Sequence, residues 1–235
     1  MSKEQLCAVN KKLLEHLKEN EKYNAFYYEP VNNVYWKEKI KIAFCNLEPY
    51  SKNKYTANGF EKLDENTLYD IWFFTKTTGN TVFLNLVLRK KMSKNIQVTG
   101  KTFSEIRRLG KNDDSLYDEL CEEFNKSLYF NFRYSLSDTV NQSSGYIYGR
   151  YINDEFYRRH FREYVKAAEI DILVVSGTVG SDLIQIIFPE LKGKFSYCGE
   201  PVYFDGILFV SIPHPSRISY DAMADCVNKI SNALK

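Results

Sequence analysis

The chain has 235 residues, and 32 Lys plus Arg against 30 Asp plus Glu give a formal net charge of +2. The content of 44% hydrophobic and 26% charged residues is that of a globular protein and excludes a disordered one. No apolar run approaches the roughly 20 residues of a membrane-spanning helix, and the charged N-terminus lacks the apolar segment of a signal peptide. We therefore expect one cytoplasmic domain over residues 1–235 that contacts no membrane and needs no obligate protein partner.

Apolar patterns predict alternating helices and buried strands along the chain. The first half of the chain contains a predicted helix on Leu6, Val9, Leu13 and Leu17, strands at 41–45 and 81–88, and a helix on Leu116, Leu120 and Phe124. A helix on Tyr157, Phe161, Tyr164, Val165 and Ala168 follows, then a strand at 171–175 and a helix from Ser181 that stops before Pro189. The last elements are a strand at 206–212 and a helix that is capped by Ser219 and has its apolar face on Tyr220, Met223, Val227, Ile230 and Leu234. This order predicts an α/β protein, a three-layer α/β/α sandwich with a central four-stranded parallel sheet.

The stretch between the second and third predicted strands is far longer than one crossover helix requires. We predict that residues 92–152 are an insertion, which contributes a helix and an aromatic hairpin at 129–152. The hairpin prediction rests on the alternation of Phe130, Phe132, Tyr134 and Leu136 and on Tyr146, Tyr148 and Tyr151 after a polar turn.

Chemically useful residues follow or occupy the predicted strands. Glu48 lies just after the first, Asn85 within the second and His214 just after the fourth, and ligands of open parallel sheets bind at the carboxyl ends of strands. Each residue also has an ordinary interpretation, as a solvated turn residue, a partner of backbone groups or a residue that shapes a loop. Asn85 in an apolar strand would be a costly buried amide unless something hydrogen-bonds it, and a ligand edge would serve.

Three segments in this order, NLEPY, FLNLVL and HPSR, resemble the motifs of the uracil-DNA glycosylase superfamily. Those motifs are a first one of the G-Q-D-P-Y or G-E-x-P-G type, an apolar strand bearing Asn, and a closing H-P-S. The resemblance covers residues 40–91 and 169–230. It implies a hydrolase that binds DNA, flips out a base and excises it, and that uses no cofactor.

The resemblance also implies roles for single residues. Catalysis falls to Glu48 and His214, and base binding falls to Tyr50, Phe60 and Asn85. Ser216 is similar to a phosphate contact, and Ile218 is similar to the apolar wedge that fills the vacated stack. Basic residues after the second predicted strand and near the histidine would neutralise DNA phosphates. These are Arg89, Lys90, Lys91 and Arg217.

The chemistry supports the same pair of catalytic residues independently. Cleavage of an N-glycosidic bond creates an oxocarbenium-like sugar and a base anion, so it needs negative charge beside the sugar and donors beside the base. Glu48 and His214 meet these requirements. No metal is needed, and five scattered cysteines without a CxxC pair argue against a zinc site. No lysine nucleophile is evident at the predicted strand ends, so we expect a monofunctional enzyme that leaves an abasic site.

The substrate remains open between uracil and a modified pyrimidine. Asn46 and Leu47 replace the opening residues of the first motif, and a reversed amide of Asn85 would read a cytosine-type edge. The insertion favours a modified cytosine of viral DNA, which would mean antiviral defence rather than DNA repair, whereas Tyr50 disfavours a 5-substituent. Two other hypotheses are a catalytically inactive nucleic-acid-binding module and a hydrolase of free nucleosides.

Overall fold

The fold is given by a computed structural model that describes residues 3–20, 33–47, 76–109, 114–132 and 144–235. The strands are β1 (Ile42–Asn46), β2 (Leu128–Asn131), β3 (Ile172–Ser176), β4 (Val202–Phe204) and β5 (Ile207–Ile212). The helices are α1 (Lys3–Asn20), α2 (Asn33–Lys37), α3 (Lys76–Lys94), α4 (Gly100–Leu109), α5 (Asp114–Asn125), α6 (Ser144–Asn153), α7 (Glu155–Ala167), α8 (Gly177–Ile187) and α9 (Tyr220–Ala233). None of the helices in these ranges has the length and hydropathy that a bilayer span requires.

The strands form one mixed sheet in the order β2-β1-β3-β5-β4. β1 pairs in parallel with β2 and β3, and β3 pairs in parallel with β5. The first, third and fourth predicted strands are confirmed as β1, β3 and β5, but the sheet has five strands rather than four parallel ones. The added edge strand β4 turns back antiparallel on β5 through Asp205 and Gly206, both with positive φ. An Asp-Gly pair of this kind is a hairpin signal that the sequence interpretation overlooked.

The second predicted strand is wrong, because residues 81–88 lie within the long helix α3. This helix packs against α4, α5 and α9, so apolar side chains are required around most of its circumference. The apolar residues of this helix with no more than 1% exposure are Val82, Leu84, Leu86, Val87 and Leu88. A short apolar run of this kind cannot be distinguished from a buried strand by its periodicity.

The predicted aromatic hairpin at 129–152 is also wrong. Leu128–Asn131 is the edge strand β2 of the central sheet, and residues 144–153 form helix α6. Tyr151 of α6 donates a hydrogen bond from its hydroxyl to the carbonyl of Phe132 at 2.9 Å, so the two segments do pack together. Residues 92–152 therefore contribute one strand of the sheet as well as helices. Tyr134 and Leu136 lie outside the described residues.

Helices cover both faces of the sheet, which gives an α/β sandwich. On one face, here called the Tyr129 face, Tyr129 stacks between Phe44 and Phe124 of α5, and its hydroxyl accepts a hydrogen bond from α3. On the opposite face, Phe130 packs against Phe161 of α7. Helix α8 lies on this second face, where Ser181 and Ser211 of β5 are hydrogen-bonded at 2.6 Å.

The predicted helices α1, α5, α7, α8 and α9 are confirmed. Ser219 caps α9 as predicted, because its hydroxyl accepts the backbone N–H of Ala222 at 3.2 Å. Asp154 caps α7 in the same way through the N–H of Phe156, and its second carboxylate oxygen lies 3.2 Å from His16 of α1. This contact joins α1 to the N-terminus of α7, the helix on which α1 packs.

We predict that His160, at the α1–α7 contact, makes stability depend on pH. Burial, assisted by the positive charges of His16 and Lys12, lowers the pKa of His160 to about 3 from its ordinary value of 6.5. Between these values the unfolded chain binds a proton that the folded protein does not. The free energy of unfolding therefore falls as the pH falls below about 6.5, by at most about 1.4 kcal/mol per pH unit from this group.

Urea denaturation of the wild type and His160→Gln between pH 4 and 7 tests this prediction. Glutamine stays neutral throughout, so the variant should show the shallower dependence of unfolding free energy on pH. His214→Gln also removes a histidine whose pKa is lowered, but it retains His160, so its pH dependence should fall less than that of His160→Gln. Equal slopes in the wild type and His160→Gln would show that folded His160 accepts a proton in this range.

Candidate active site

The carboxyl ends of the parallel strands meet at one edge of the sheet, here called the rim. β1 ends at Asn46, β2 at Asn131 and β3 at Ser176, and all three side chains are buried. Asn46 and Asn131 are partners in the β1–β2 register, and the Ser176 hydroxyl donates to Asn46 Oδ1 at 2.7 Å. Side chains alternate along a strand, so these residues share the face that carries Tyr129 two positions earlier. The rim therefore begins with a row of neutral polar groups.

His214 follows β5 at the same rim and is held by its own loop. Its Nδ1 lies 2.8 Å from the Ser216 hydroxyl and accepts the backbone N–H of Ser216 at 3.3 Å. A backbone N–H can only donate, so Nδ1 carries the lone pair and the neutral ring carries its proton on Nε2. Burial lowers the pKa of His214, and the charge of Arg217 lowers it further. Near neutral pH, His214 therefore offers one Nε2–H donor.

The loop that carries His214 is anchored on both sides. Asn80, a buried residue in the N-terminal part of α3, donates from Nδ2 to the carbonyl of Pro215 at 2.6 Å. The N–H of Arg217 donates to the carbonyl of His214 at 2.8 Å, which closes a turn. Sequence reasoning missed Asn80, because nothing in its local pattern connects it to a loop 135 residues away.

Asn85 belongs to a different part of the molecule from His214. Its Nδ2 donates to the Glu123 carbonyl at 2.8 Å and to the Tyr129 hydroxyl at 3.2 Å. Its Oδ1 accepts from Ser127 at 2.9 Å and from Arg89 at 3.3 Å. Ser127 directly precedes β2, so this cluster lies at the amino ends of the strands, opposite the rim. The side chain uses both donors and both lone pairs within the protein, which leaves no capacity to read a base.

The basic run predicted to bind DNA also lies away from His214, on the C-terminal half of α3. Each of Arg89, Lys90 and Lys91 donates to a group within the protein at 2.7 to 2.9 Å. Their partners are Glu38, Glu119 and the carbonyls of Lys126 and Ile96. These contacts make the run part of the helix packing and leave it poorly suited to phosphates.

The remaining predicted residues have mixed outcomes. Arg217 is exposed beside His214, and Ser216 contacts the imidazole of His214. Ile218, predicted as a wedge, is only 8% exposed and belongs to the hydrophobic core, so it does not project from the loop. The predictions for Glu48, Tyr50 and Phe60 concern residues outside the described ranges.

A second group of cations borders the rim and was missed. Arg107 and Arg108 are exposed at the C-terminal end of α4, and Arg107 donates to the Tyr220 hydroxyl at 2.9 Å. Tyr220 also stacks on Phe103 and begins α9, three residues after Arg217. Two consecutive arginines at the end of an amphipathic helix were the available signal.

The junction of β3 and α8 is formed by Ser176 and Gly177. Gly177 has φ +76°, a conformation that L side chains rarely adopt, and a Cβ built on it would meet no described atom within 4 Å. Its neighbour Ser176 caps α8 without a side-chain hydrogen bond to the helix, because its hydroxyl is directed to Asn46. Among the described residues, this junction therefore has no side chain packed against Gly177.

Comparisons with known proteins returned no match, either among protein-family models or among curated proteins. The functional interpretation therefore depends on the residues and geometry of the rim.

We predict that His214 titrates below its ordinary pKa and carries its proton on Nε2 at neutral pH. Nitrogen-15 and proton NMR of the imidazole reports both properties. Arg217→Gln should raise the pKa of His214, because it removes a positive charge, whereas Arg217→Lys keeps the charge and should preserve the wild-type titration. A proton on Nδ1 at neutral pH, or identical titrations in the Gln and Lys variants, would contradict this account.

Proposed function

We propose that the chain is a monofunctional DNA glycosylase of the cytoplasm. It would extrude a uracil or a modified pyrimidine from DNA, hydrolyse the N-glycosidic bond and leave an abasic site. One observation carries the proposal: a neutral imidazole with an Nε2–H donor follows β5 at the same end of the sheet as the buried amides of Asn46 and Asn131. Such donors suit the negative charge that develops on a departing base.

The reaction assigns one role to each end of the breaking bond. The electron pair of the bond between sugar C1′ and the base nitrogen leaves with the base, and His214 Nε2–H stabilises the resulting oxyanion by hydrogen bonding. The oxygen of a water molecule bonds to C1′ and releases a proton to solvent, while the base anion gains one. In this proposal Glu48 stabilises the cationic sugar and orients the water. That role rests on its sequence position, two residues beyond the end of β1.

Asn131 replaces Asn85 as the proposed base-reading amide. The resemblance requires an apolar strand bearing Asn, and the sequence LYFN of β2 meets this description with Asn131 at the carboxyl end. Asn131 is also the register partner of Asn46, which opens the first motif. Base extrusion costs a few kcal/mol, and hydrogen bonds to the base edge offset part of it. Tyr50 and Phe60 remain proposed stacking partners from the sequence alone.

Substitution of the two proposed catalytic residues tests the function. Glu48→Gln and His214→Gln should each slow base release by roughly 10²-fold or more while DNA binding persists, because each removes a group that acts on the transition state. Labelled duplex and single-stranded oligonucleotides with uracil or a modified cytosine, followed by alkaline cleavage of abasic sites, provide the measurement. His16→Gln, on α1 and remote from the rim, is the matched control and should keep wild-type activity.

The same experiment separates the other hypotheses. Binding of DNA without base release from any oligonucleotide would identify an inactive binding module and contradict the proposal. Release from free nucleosides but from no oligonucleotide would indicate a nucleoside hydrolase instead.

A second prediction concerns the DNA-binding surface. We propose that the exposed Arg107, Arg108 and Arg217 neutralise phosphates beside the extruded base, because they border the loop of His214. Alanine substitution of all three should weaken DNA binding regardless of sequence and reduce the salt dependence of log K by about one for each phosphate that is no longer neutralised.

Fluorescence anisotropy at several salt concentrations measures this effect. Lys90→Ala with Lys91→Ala is the control, since these lysines are engaged within the protein, and it should leave the salt dependence unchanged. A loss of salt dependence in the lysine variant alone would contradict the assignment to Arg107, Arg108 and Arg217.

A further inference from the structure

We infer that Asn46 is a second base-reading amide, which donates a hydrogen bond from Nδ2 to an acceptor atom of the extruded pyrimidine. The acceptor would be a carbonyl oxygen or a ring nitrogen, and Ser176 would be the residue that positions the amide. This inference rests on the proposed function for the identity of the ligand, but the donor itself is defined by the geometry of the rim.

The orientation of the Asn46 amide is set by one hydrogen bond. Oδ1 accepts the Ser176 hydroxyl at 2.7 Å, so Nδ2 is directed away from Ser176. Asn46 as a residue is only 7% exposed, and within the described residues Nδ2 has no hydrogen-bond partner, although it is not among the fully buried unpartnered atoms. The amide is therefore held in one orientation with a donor that a ligand acceptor can reach, and a hydrogen bond formed there in a largely buried setting would favour ligands that carry the acceptor.

The position of Asn46 makes a base the appropriate ligand. The side chain shares a sheet face with its register partner Asn131 and with Ser176, at the carboxyl ends of three neighbouring strands. Ser176 is in turn the register partner of Ile212, after which the chain reaches His214. A flat ring lying over this row would meet donors from several strands, as the recognition of a flipped base by its edge requires.

Asn46 stands where the first motif of the resembling superfamily opens with glycine. Glycine offers no side-chain hydrogen bond, whereas Asn46 adds a donor beside the amide of Asn131. The site would therefore discriminate between pyrimidines by one more polar contact than a glycine-opened motif provides. A pyrimidine that lacks the corresponding acceptor would leave Nδ2 unpaired and would be rejected.

Substitution of Asn46 by Asp tests this inference with little change of shape. The aspartate keeps the oxygen that accepts from Ser176 and replaces the Nδ2 donor with an acceptor. We expect a roughly ten- to hundredfold fall in kcat/KM for base release on the preferred substrate. Asn228→Asp is the matched control. Asn228 lies on α9 and donates to the carbonyl of Val98, away from the rim, so base release should be retained in this variant.

A double-mutant cycle tests the positioning role of Ser176. Ser176→Ala frees the Asn46 amide to rotate and should lower kcat/KM less than Asn46→Asp does. In an Asn46→Ala background, the additional effect of Ser176→Ala should vanish, because there is no amide left to orient. Additive effects would show that Ser176 acts only on the fold.

A binding measurement on the wild type needs no variant and does not depend on catalysis. Addition of free uracil or free cytosine should shift the NMR signals of the Asn46 side-chain amide, and unchanged signals with both bases would overturn the inference. Base release that is equal in the wild type and Asn46→Asp would also overturn it while leaving the proposed function intact. Shifted amide signals in a protein that releases no base would support the reading role and refute the glycosylase proposal.

Discussion

The parallel pairing of β1 with β2 on one side and β3 on the other is the interaction on which the site depends. It brings Asn46, Asn131 and Ser176 into one row, because residues in register share a face and parallel strands end at the same edge. The continuation of the pairing from β3 to β5 delivers His214 to that edge. A shift of one residue in either pairing would turn one member of the row to the opposite face.

Sequence patterns predicted the strands that became β1, β3 and β5 and the helices with a single apolar face. They failed where an element is buried on more than one side, as in α3, whose Leu84 and Leu86 are both buried although they lie about 200° apart around the helix. They failed also at β2, where Phe130 and Phe132 alternate as a hairpin strand would, although their partners Phe161 and Tyr151 lie on helices. The periodicity of apolar residues indicates which residues are buried. It does not indicate whether a strand or a helix covers them, because that depends on the tertiary structure.

The two asparagines in apolar segments show the same limit for the site. Asn85 and Asn131 both sit among large apolar residues in the sequence, and both are buried. Asn85 is hydrogen-bonded to Glu123 near the end of α5 and to Ser127 just before β2, so it stabilises the packing of α3. Asn131 ends a strand at the rim, the edge of the sheet that also carries His214. The cost of a buried amide predicts that a partner exists, but only the topology decides at which end of the sheet the amide lies.

The buried side chains of the rim that the structure describes carry no charge, and this neutrality has a chemical consequence. Burial and the Arg217 charge lower the pKa of His214, whereas a carboxylate in contact with it would raise that pKa and favour the imidazolium. A site that needs a neutral donor for the base and a negative charge for the sugar must therefore separate the two. Strand order places β3 between the ends of β1 and β5, a separation of about 10 Å at the usual strand spacing. At that distance a charge–charge interaction falls to under half of its value at 4 Å, so a carboxylate that follows β1 and a neutral histidine that follows β5 are compatible in one site.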